Sequence, residues 1–237
     1  MATSGNTINQ KTRDQIINGA LRKLWQAKGQ VADATDTADA AEALNSLVAE
    51  YQTLGMQLWA RAEYTITLVA DQRDYTLGVG QTINTPFPLH LLQAVLRDVN
   101  SGSDIDMTIM SRFDFNLLPT YSTGNGGQPV NVSYQPKINL GVLSVWPTPD
   151  ATAAANKEVV ITYQRPLEYF DATANTPDFP QEWANALIYG LALLLSDEYG
   201  VPVQDKQWLE KQAEKHLSMA VAGGYEDASI FFQPRSD

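Results

Sequence analysis

Cysteine is absent from this sequence of 237 residues, and only two residues are histidine. Without cysteine, the protein has no disulfides, thiolate metal ligands or cysteine nucleophiles. The sequence also has no run of about 18 apolar residues, so it predicts no helix that crosses a membrane. Its first residues are polar and lack the apolar segment of a secretory signal, so we expect assembly in a reducing cytosol.

Basic residues are scarce: 16 lysines and arginines stand against 27 aspartates and glutamates, a formal net charge of −11. This balance argues against a basic nucleic-acid-binding face that covers the whole protein. Two interpretations of the charge remain open. The acidic side chains form an ordinary solvated surface, or they form a wall that repels DNA moving past it.

The two histidines, His90 and His216, match no catalytic or metal-binding motif. They are far apart in the chain, and neither has a histidine or cysteine at metal-ligand spacing. A serine–histidine–aspartate triad would need one of them, and no GxSxG segment is present. We interpret His90 as a loop or strand-end residue and His216 as a cation near a helix C-terminus.

Carboxylates and glycines give the remaining candidates for chemistry. The pairs Asp104/Asp106 and Asp171/Asp178 have the residue types that bind a divalent cation or serve a glycosidase. They lie in loops, however, and we interpret them as solvated turns. The two glycine-rich segments lack phosphate-binding patterns and also predict turns. The sequence therefore predicts no catalytic residue, no metal site and no cofactor.

Helical spacing of apolar residues dominates the first sixty positions. It predicts one helix over residues 12–28 and a second that continues to about residue 60. The N-cap candidates of the second helix are Thr35, Asp36 and Thr37. From Tyr64 the pattern changes to strand alternation, so a helix meets a strand with almost no linker. This junction predicts a rigid connection.

Short strand-like runs separated by turn signals fill residues 62–165. The runs 64–69 and 74–77 predict a hairpin, and residues 112–118 predict a short helix after Ser111. We interpret the polar segment 148–158 as a connection between strands. The regular spacing of the strands favours an antiparallel barrel or sandwich.

Helical spacing returns after Pro180, which suits the first position of a helix. Apolar residues predict one helix that ends before Gly200 and Pro202, and a last helix that ends at residues 223–224. The last helix also has a cluster of lysines, which we interpret as a solvated face: Lys206, Lys211 and Lys215.

These elements predict an α+β fold. Two N-terminal and two C-terminal helices form an antiparallel helical bundle, with an inserted antiparallel β barrel or sandwich domain. The bundle takes residues 1–61 and 178–222, the β domain takes 62–177, and a C-terminal tail takes 223–237.

Large apolar residues in the tail are unusual, because chain termini normally avoid such side chains unless they dock. Two explanations remain open: docking on the same domain, or docking into a hydrophobic pocket of a neighbouring subunit or partner. The second makes four residues candidates for a partner interface: Ile230, Phe231, Phe232 and Pro234.

Several phrases resemble, in order, the head-to-tail adaptor proteins of tailed bacteriophages, the tail accessory or packaged-DNA-stabilising (head completion) family. The opening helices are similar in IINGALRKLW and ADAAEALNSLVAEYQTLGMQLWA. The strand–turn–strand is similar in ITLVADQRDYTLG, and the C-terminal helix in FPQEWANALIYGLALLLSDEYGVPV. The resemblance extends over residues 12–220.

The resemblance implies a structural virion protein of the phage neck, assembled in the host cytoplasm, and not an enzyme. Such adaptors form a dodecameric ring beneath the portal protein. The helical part and C-terminal segment grip the portal, and the β part faces the tail nozzle or another tail protein. The ring extends the channel for double-stranded DNA, without sequence-specific binding, and helps to retain the genome. No membrane partner is implied.

Two alternatives stand beside this interpretation. One is a glycan-acting hydrolase that uses the loop carboxylates of the β domain, which would require a cleft with convergent carboxylates. The other is a carbohydrate- or protein-binding module that uses aromatic residues of the β-domain loops: Tyr121, Tyr134 and Trp146.

Overall fold

The computed structural model describes residues 9–24, 33–54, 58–119 and 126–223, which contain six α-helices and eight strands of an α+β protein. They divide into two compact units. The helical unit comprises the described residues up to Trp59 together with those from Leu167 onward, and the β unit comprises residues 60–166. No helix in these ranges combines the length and the apolar character needed to cross a membrane.

The helical unit is organised around an apolar helix, α5. Its buried residues occupy most of the helix circumference, as expected for a helix that is enclosed by others. It packs against all three other long helices of this unit. The bounds are α1 Arg13–Leu24, α2 Ala34–Gln52, α5 Ala184–Leu195 and α6 Val203–Ala222.

Helix α2 begins and ends at residues that differ from the predicted ones. Asp33 is its N-cap, in a capping box in which Asp36 accepts a hydrogen bond from the Asp33 backbone N–H. Thr53 ends the helix, because its hydroxyl and N–H both donate to the Glu50 carbonyl. A single 3₁₀ turn, Leu58–Ala60, precedes the first strand. The predicted direct junction of helix and strand is therefore wrong.

The segment that follows the β unit is fastened to α2. The Asn45 side-chain amide donates to the Phe170 carbonyl and accepts from the Phe170 N–H. The Gln52 side chain accepts from the Leu167 N–H at 2.9 Å. These bonds explain why residues from Leu167 onward belong to the helical unit, although the sequence placed the β-domain boundary at residue 177.

The β unit contains two four-stranded sheets. Sheet 1 has the order β1-β8-β3-β4 and sheet 2 the order β2-β7-β6-β5. All neighbours are antiparallel except β5 and β6, which are parallel. The strands are β1 Arg61–Thr67, β2 Asp74–Leu77, β3 His90–Asp98, β4 Asp104–Asp106, β5 Thr108–Ile109, β6 Asn131–Lys137, β7 Leu140–Trp146 and β8 Lys157–Gln164.

One prediction about this unit is wrong, and another is settled only in part. Strands β1 and β2 do not form a hairpin, because β1 pairs with β8 and β2 with β7. The connection between them passes from one sheet to the other, where the Tyr75 hydroxyl accepts from the Val69 N–H. Of the two predicted alternatives, barrel or sandwich, the described strands do not close into a barrel. One core cluster instead draws on both sheets: Ile66, Tyr75, Leu96, Val132, Leu143 and Ile161.

Two short helices lie in the β unit. Helix α3, Arg112–Asn116, is capped by the Ser111 hydroxyl, as its sequence indicates. Helix α4, Ala151–Asn156, occupies a segment that we predicted to be a polar connection. The Asp150 side chain caps α4 by accepting from the Ala153 N–H at 2.6 Å. An N-cap followed by alanines was the local signal for this helix.

Candidate functional site

The two histidines lie in different units and have ordinary surroundings. His90 is exposed at the start of β3. The ring of His216 stacks on Tyr189, with 4.9 Å between the ring centroids. Among the residues that the structure describes, no group of three or more histidine or carboxylate side chains is placed to hold a metal ion.

Asp104 and Asp106 lie on strand β4 and not in a loop as predicted, and three of the four predicted carboxylates accept hydrogen bonds within the described residues: Asp104, Asp171 and Asp178. The Arg97 guanidinium donates two hydrogen bonds of 2.8 Å to Asp104, which hold the pKa of that carboxyl below its usual range. Asp171 accepts from the Asn175 amide, and Asp178 accepts from a backbone N–H. A general acid at neutral pH needs a raised pKa, and the pKa of Asp104 moves the other way.

The aromatic candidates of the β unit form hydrogen bonds within that unit. The Tyr134 hydroxyl donates to the Pro88 carbonyl, and burial raises the pKa of Tyr134. The Trp146 indole N–H donates to the Pro119 carbonyl at 2.9 Å. Tyr121 lies outside the described residues. Neither described ring therefore resembles the freely presented stacking surface that a glycan-binding module uses.

The helical unit contains a groove that has the form of a binding site. Its volume is about 550 Å³. Helices α2, α5 and α6 all contribute lining residues, among them two small ones, Gly190 of α5 and Ala213 of α6. The groove has an apolar interior with a carboxylate rim. We call it the acidic groove, and its principal residues are Leu47, Glu50, Leu193, Glu210, Glu214 and Leu217.

The charged residues that line the acidic groove are all glutamates. Glu50, Glu210 and Glu214 are exposed, and none has an ion-pair partner in the described part of the chain. Burial, with a smaller effect of the Glu50 charge, raises the pKa of Tyr51 to about 12. The neutral Tyr51 hydroxyl donates to the Ala186 carbonyl at 3.3 Å. The rim is therefore negative and the interior is uncharged at neutral pH.

A second surface lies on α6 and combines exposed apolar and basic residues. Trp208 is 51% exposed and Met219 is 61% exposed, and both Lys211 and Lys215 are exposed. We call these four residues the basic stripe. The Trp208 ring rests edge-on against Tyr189 at 6.2 Å, and the Lys23 ammonium lies 5.1 Å from the centre of the same tyrosine ring. Trp208 thus contacts α5 through Tyr189, and the same tyrosine ring also carries a cation.

Exposed apolar residues also mark the β unit. Val79 and Ile138 are 83% and 91% exposed. Both lie at one end of sheet 2, since β2 ends just before Val79 and the turn between β6 and β7 contains Ile138. Phe113 and Leu117 project from the region of α3, whose Phe115 is buried beneath Arg73. Within the described part of the β unit, these side chains are too exposed to contribute to its core.

The four interface candidates of the sequence analysis, Ile230, Phe231, Phe232 and Pro234, lie outside the described residues. The acidic groove was not predicted. The sequence contains its signal on α6, where Glu210 and Glu214 are one turn apart. The lysine cluster proves to be divided, because Lys206 pairs with Asp197 at 2.5 Å and lies outside the basic stripe.

The chain matches one family model, that of the SU10 adaptor protein, over residues 11–223. This match covers most of the sequence and includes both compact units. No curated protein matches the chain.

Proposed function

This chain belongs to the SU10 adaptor protein family, a head-to-tail adaptor family of tailed bacteriophages, and on that premise we propose that it forms a ring between portal and tail. The family is one of structural adaptors and not of enzymes. The observation that supports the proposal is the extent of the match, which includes both units. The proposed adaptor role therefore concerns both units and not one alone.

In this proposal the helical unit faces the portal and the β unit faces the tail nozzle or another tail protein. Support comes from the exposed apolar residues of the β unit. Exposed groups such as Val79 and Ile138 at one end of a sheet are characteristic of surfaces that another protein covers. A structural role also agrees with carboxylates and aromatic rings that are engaged in internal hydrogen bonds.

The C-terminal residues are proposed as an anchor on the portal. Ile230, Phe231, Phe232 and Pro234 form an apolar segment close to the chain end. Such a segment is suited to a hydrophobic pocket, where a few buried aromatic residues supply most of the binding free energy. The pocket in this proposal belongs to the portal protein.

We further propose that a dodecameric ring extends the DNA channel and helps to retain the packaged genome. The net charge of −11 supports this role. Carboxylates that line a channel repel phosphates, so DNA passes without adhering. The proposal predicts a channel wall that is mainly acidic, and a wall made mainly of lysine and arginine would contradict it.

The test is to mix the purified chain with portal rings of the same phage and to image the product by cryo-electron microscopy. We expect a dodecameric adaptor ring beneath each portal. A variant that lacks residues 224–237 should bind portal at least tenfold more weakly while its thermal unfolding is unchanged. A chain that stays monomeric with every portal concentration contradicts the ring. Normal rings from the shortened variant contradict only the anchor.

A further inference from the structure

We propose that neighbouring copies of this chain associate through α6, with the basic stripe of one copy docked in the acidic groove of the next. This inference rests on the proposed ring and identifies the surfaces that would build it. The occupant of the groove is thus a second copy of the same chain. The argument uses the charge, the spacing and the placement of the two surfaces.

Charge complementarity is the first support. The groove rim contributes three carboxylates, Glu50, Glu210 and Glu214, and the stripe contributes Lys211 and Lys215. None of these five side chains has an ion-pair partner within the described residues. Opposite charges that are unpaired in the single chain favour association of complementary surfaces and disfavour incorrect pairings.

Spacing is the second support. Glu210 and Glu214 are four residues apart on α6, as are Lys211 and Lys215. Four residues correspond to an axial distance of about 6 Å in an α-helix. The two pairs therefore have the same separation. When the α6 helices of two copies lie side by side, each lysine of one copy can meet one glutamate of the other.

Placement is the third support. Leu217 faces the groove and follows Trp208 by about two and a half helical turns, so the two project from opposite sides of α6. Groove and stripe thus lie on different flanks of one helix. A contact that joins two different surfaces of identical chains is heterologous, and it generates a ring when the rotation closes.

Trp208 supplies the apolar centre of the contact. It is half-exposed in the single chain but is already held against Tyr189. An indole that already contacts another ring loses less side-chain entropy on docking than a free one, and tryptophan is among the residues that dominate interface free energies. The apolar interior of the groove, with Leu47, Leu193 and Leu217, matches an indole in character.

The experiment compares two charge-reversal variants, alone and mixed. In E210K/E214K the groove becomes positive and faces a positive stripe. In K211E/K215E the stripe becomes negative and faces a negative groove. We expect each variant alone to give at least tenfold fewer rings on portal than the wild type. An equimolar mixture should restore rings, because alternating copies place opposite charges at every contact.

Matched controls separate docking from folding. All four reversed residues are exposed, so circular dichroism and thermal unfolding of the monomers should match the wild type. D39K/E42K makes the same charge change on exposed positions of α2 outside the groove, and it should form normal rings.

Three results would overturn the proposal. Normal rings from either charge variant alone would show that these surfaces do not meet. Failure of E210K/E214K together with normal assembly of K211E/K215E would show that another occupant, such as residues 224–237, fills the groove. Absence of restoration in the mixture would exclude charge pairing. In each case, normal rings from the wild-type chain leave the proposed function intact. If the wild-type chain itself forms no rings on portal, both the proposed function and this inference are contradicted.

Discussion

Trp183 is the largest fully buried side chain among the described residues. Its ring lies 5.2 Å from Trp59, 5.3 Å from Phe179 and 5.9 Å from Tyr51, measured between centroids. Tilted and edge-on pairs of this kind add to the free energy gained by burial alone. The cluster joins α2, the 3₁₀ turn Leu58–Ala60 and the segment before α5, so one residue connects parts of the helical unit that are distant in the chain.

Replacing Trp183 with alanine should destabilise the protein by about 3–5 kcal/mol, because a large buried side chain leaves a cavity. The matched control is Trp208→Ala, which removes the same side chain from a half-exposed position. It should cost less than about 1 kcal/mol of stability and reduce ring formation instead. Urea unfolding measures the first effect. Equal losses of stability in the two variants would contradict this assignment.

Asp98 holds the turn between β3 and β4. Its carboxylate accepts hydrogen bonds from the backbone N–H groups of Asn100 and Ser101. Lys157, the first residue of β8, donates to it at 2.6 Å. The Lys157 ammonium is the largest cause that holds the pKa of the Asp98 carboxyl well below its usual range.

This depressed pKa predicts how the effect of Asp98→Asn depends on pH. A carboxyl with a lowered folded-state pKa stabilises the protein above its unfolded pKa, about 3.9, and that contribution disappears as pH falls through the folded value. The variant should unfold at a lower temperature than the wild type at pH 7, and the difference should shrink steadily below pH ~4. Thermal unfolding between pH 7 and pH 2 measures it. A difference that does not change over this range would exclude the ion pair as its cause.

At the scale of elements, α5 depends on close approach to α2 at Gly190. A Cβ atom at this position would collide with the Tyr51 hydroxyl and lie 3.1 Å from the Leu47 side chain. Alanine is favoured over glycine in a helix by about 1 kcal/mol. Overpacking of a tight contact costs about 1–3 kcal/mol. We expect the overpacking cost to exceed the gain in helix propensity, because Leu47 and Tyr51 are buried on α2 and neither helix can move without opening the core.

Gly190→Ala should therefore destabilise the protein, by about 1–2 kcal/mol after the gain in helix propensity. The Tyr51→Phe background removes the nearest colliding atom, so the same glycine substitution should cost less there. The two single variants and the double variant form a cycle whose coupling free energy, from chemical denaturation, isolates this contact. Additive changes in the free energy of unfolding would show that Gly190→Ala acts through a contact other than the one with the Tyr51 hydroxyl.

Local sequence pattern was sufficient to predict some of the helices and strands but not others. The apolar spacing of 184–195, with Gly200 and Pro202 after it, predicted α5 and its end because those signals act over a few residues. The pattern of residues 148–158 does not distinguish α4 from a connection, because polar residues flank a run of only three alanines. The hairpin of 64–69 and 74–77 was wrong because alternation gives the face of a strand but does not identify its partner.

At the scale of the whole molecule, the two units are expected to act in different assembly steps. Val79→Ser/Ile138→Ser removes apolar surface from the β unit without touching its core. We expect rings to form normally on portal, while addition of the next tail protein falls at least tenfold. Stability should stay within about 0.5 kcal/mol of the wild type, since both side chains are exposed.

Sequential reconstitution measures this separation of steps. Rings on portal are counted by electron microscopy, and co-sedimentation of the tail protein is then measured. Val203→Ser is the matched control, because it removes an exposed valine from the helical unit. A double variant that recruits the tail protein as well as Val203→Ser does would contradict the role of sheet 2 as the tail-facing surface.

The sequence by itself determined the absence of thiol chemistry, the α+β class, the positions of α5 and α6, and, by resemblance, the adaptor family. These depend on residue types and on neighbours within a few positions. Only the tertiary structure decided which strands pair, as in β1 with β8, and that Glu50 lies at one rim with Glu210 and Glu214. Such arrangements depend on which apolar surfaces are buried together across more than a hundred residues, and no local pattern records that choice.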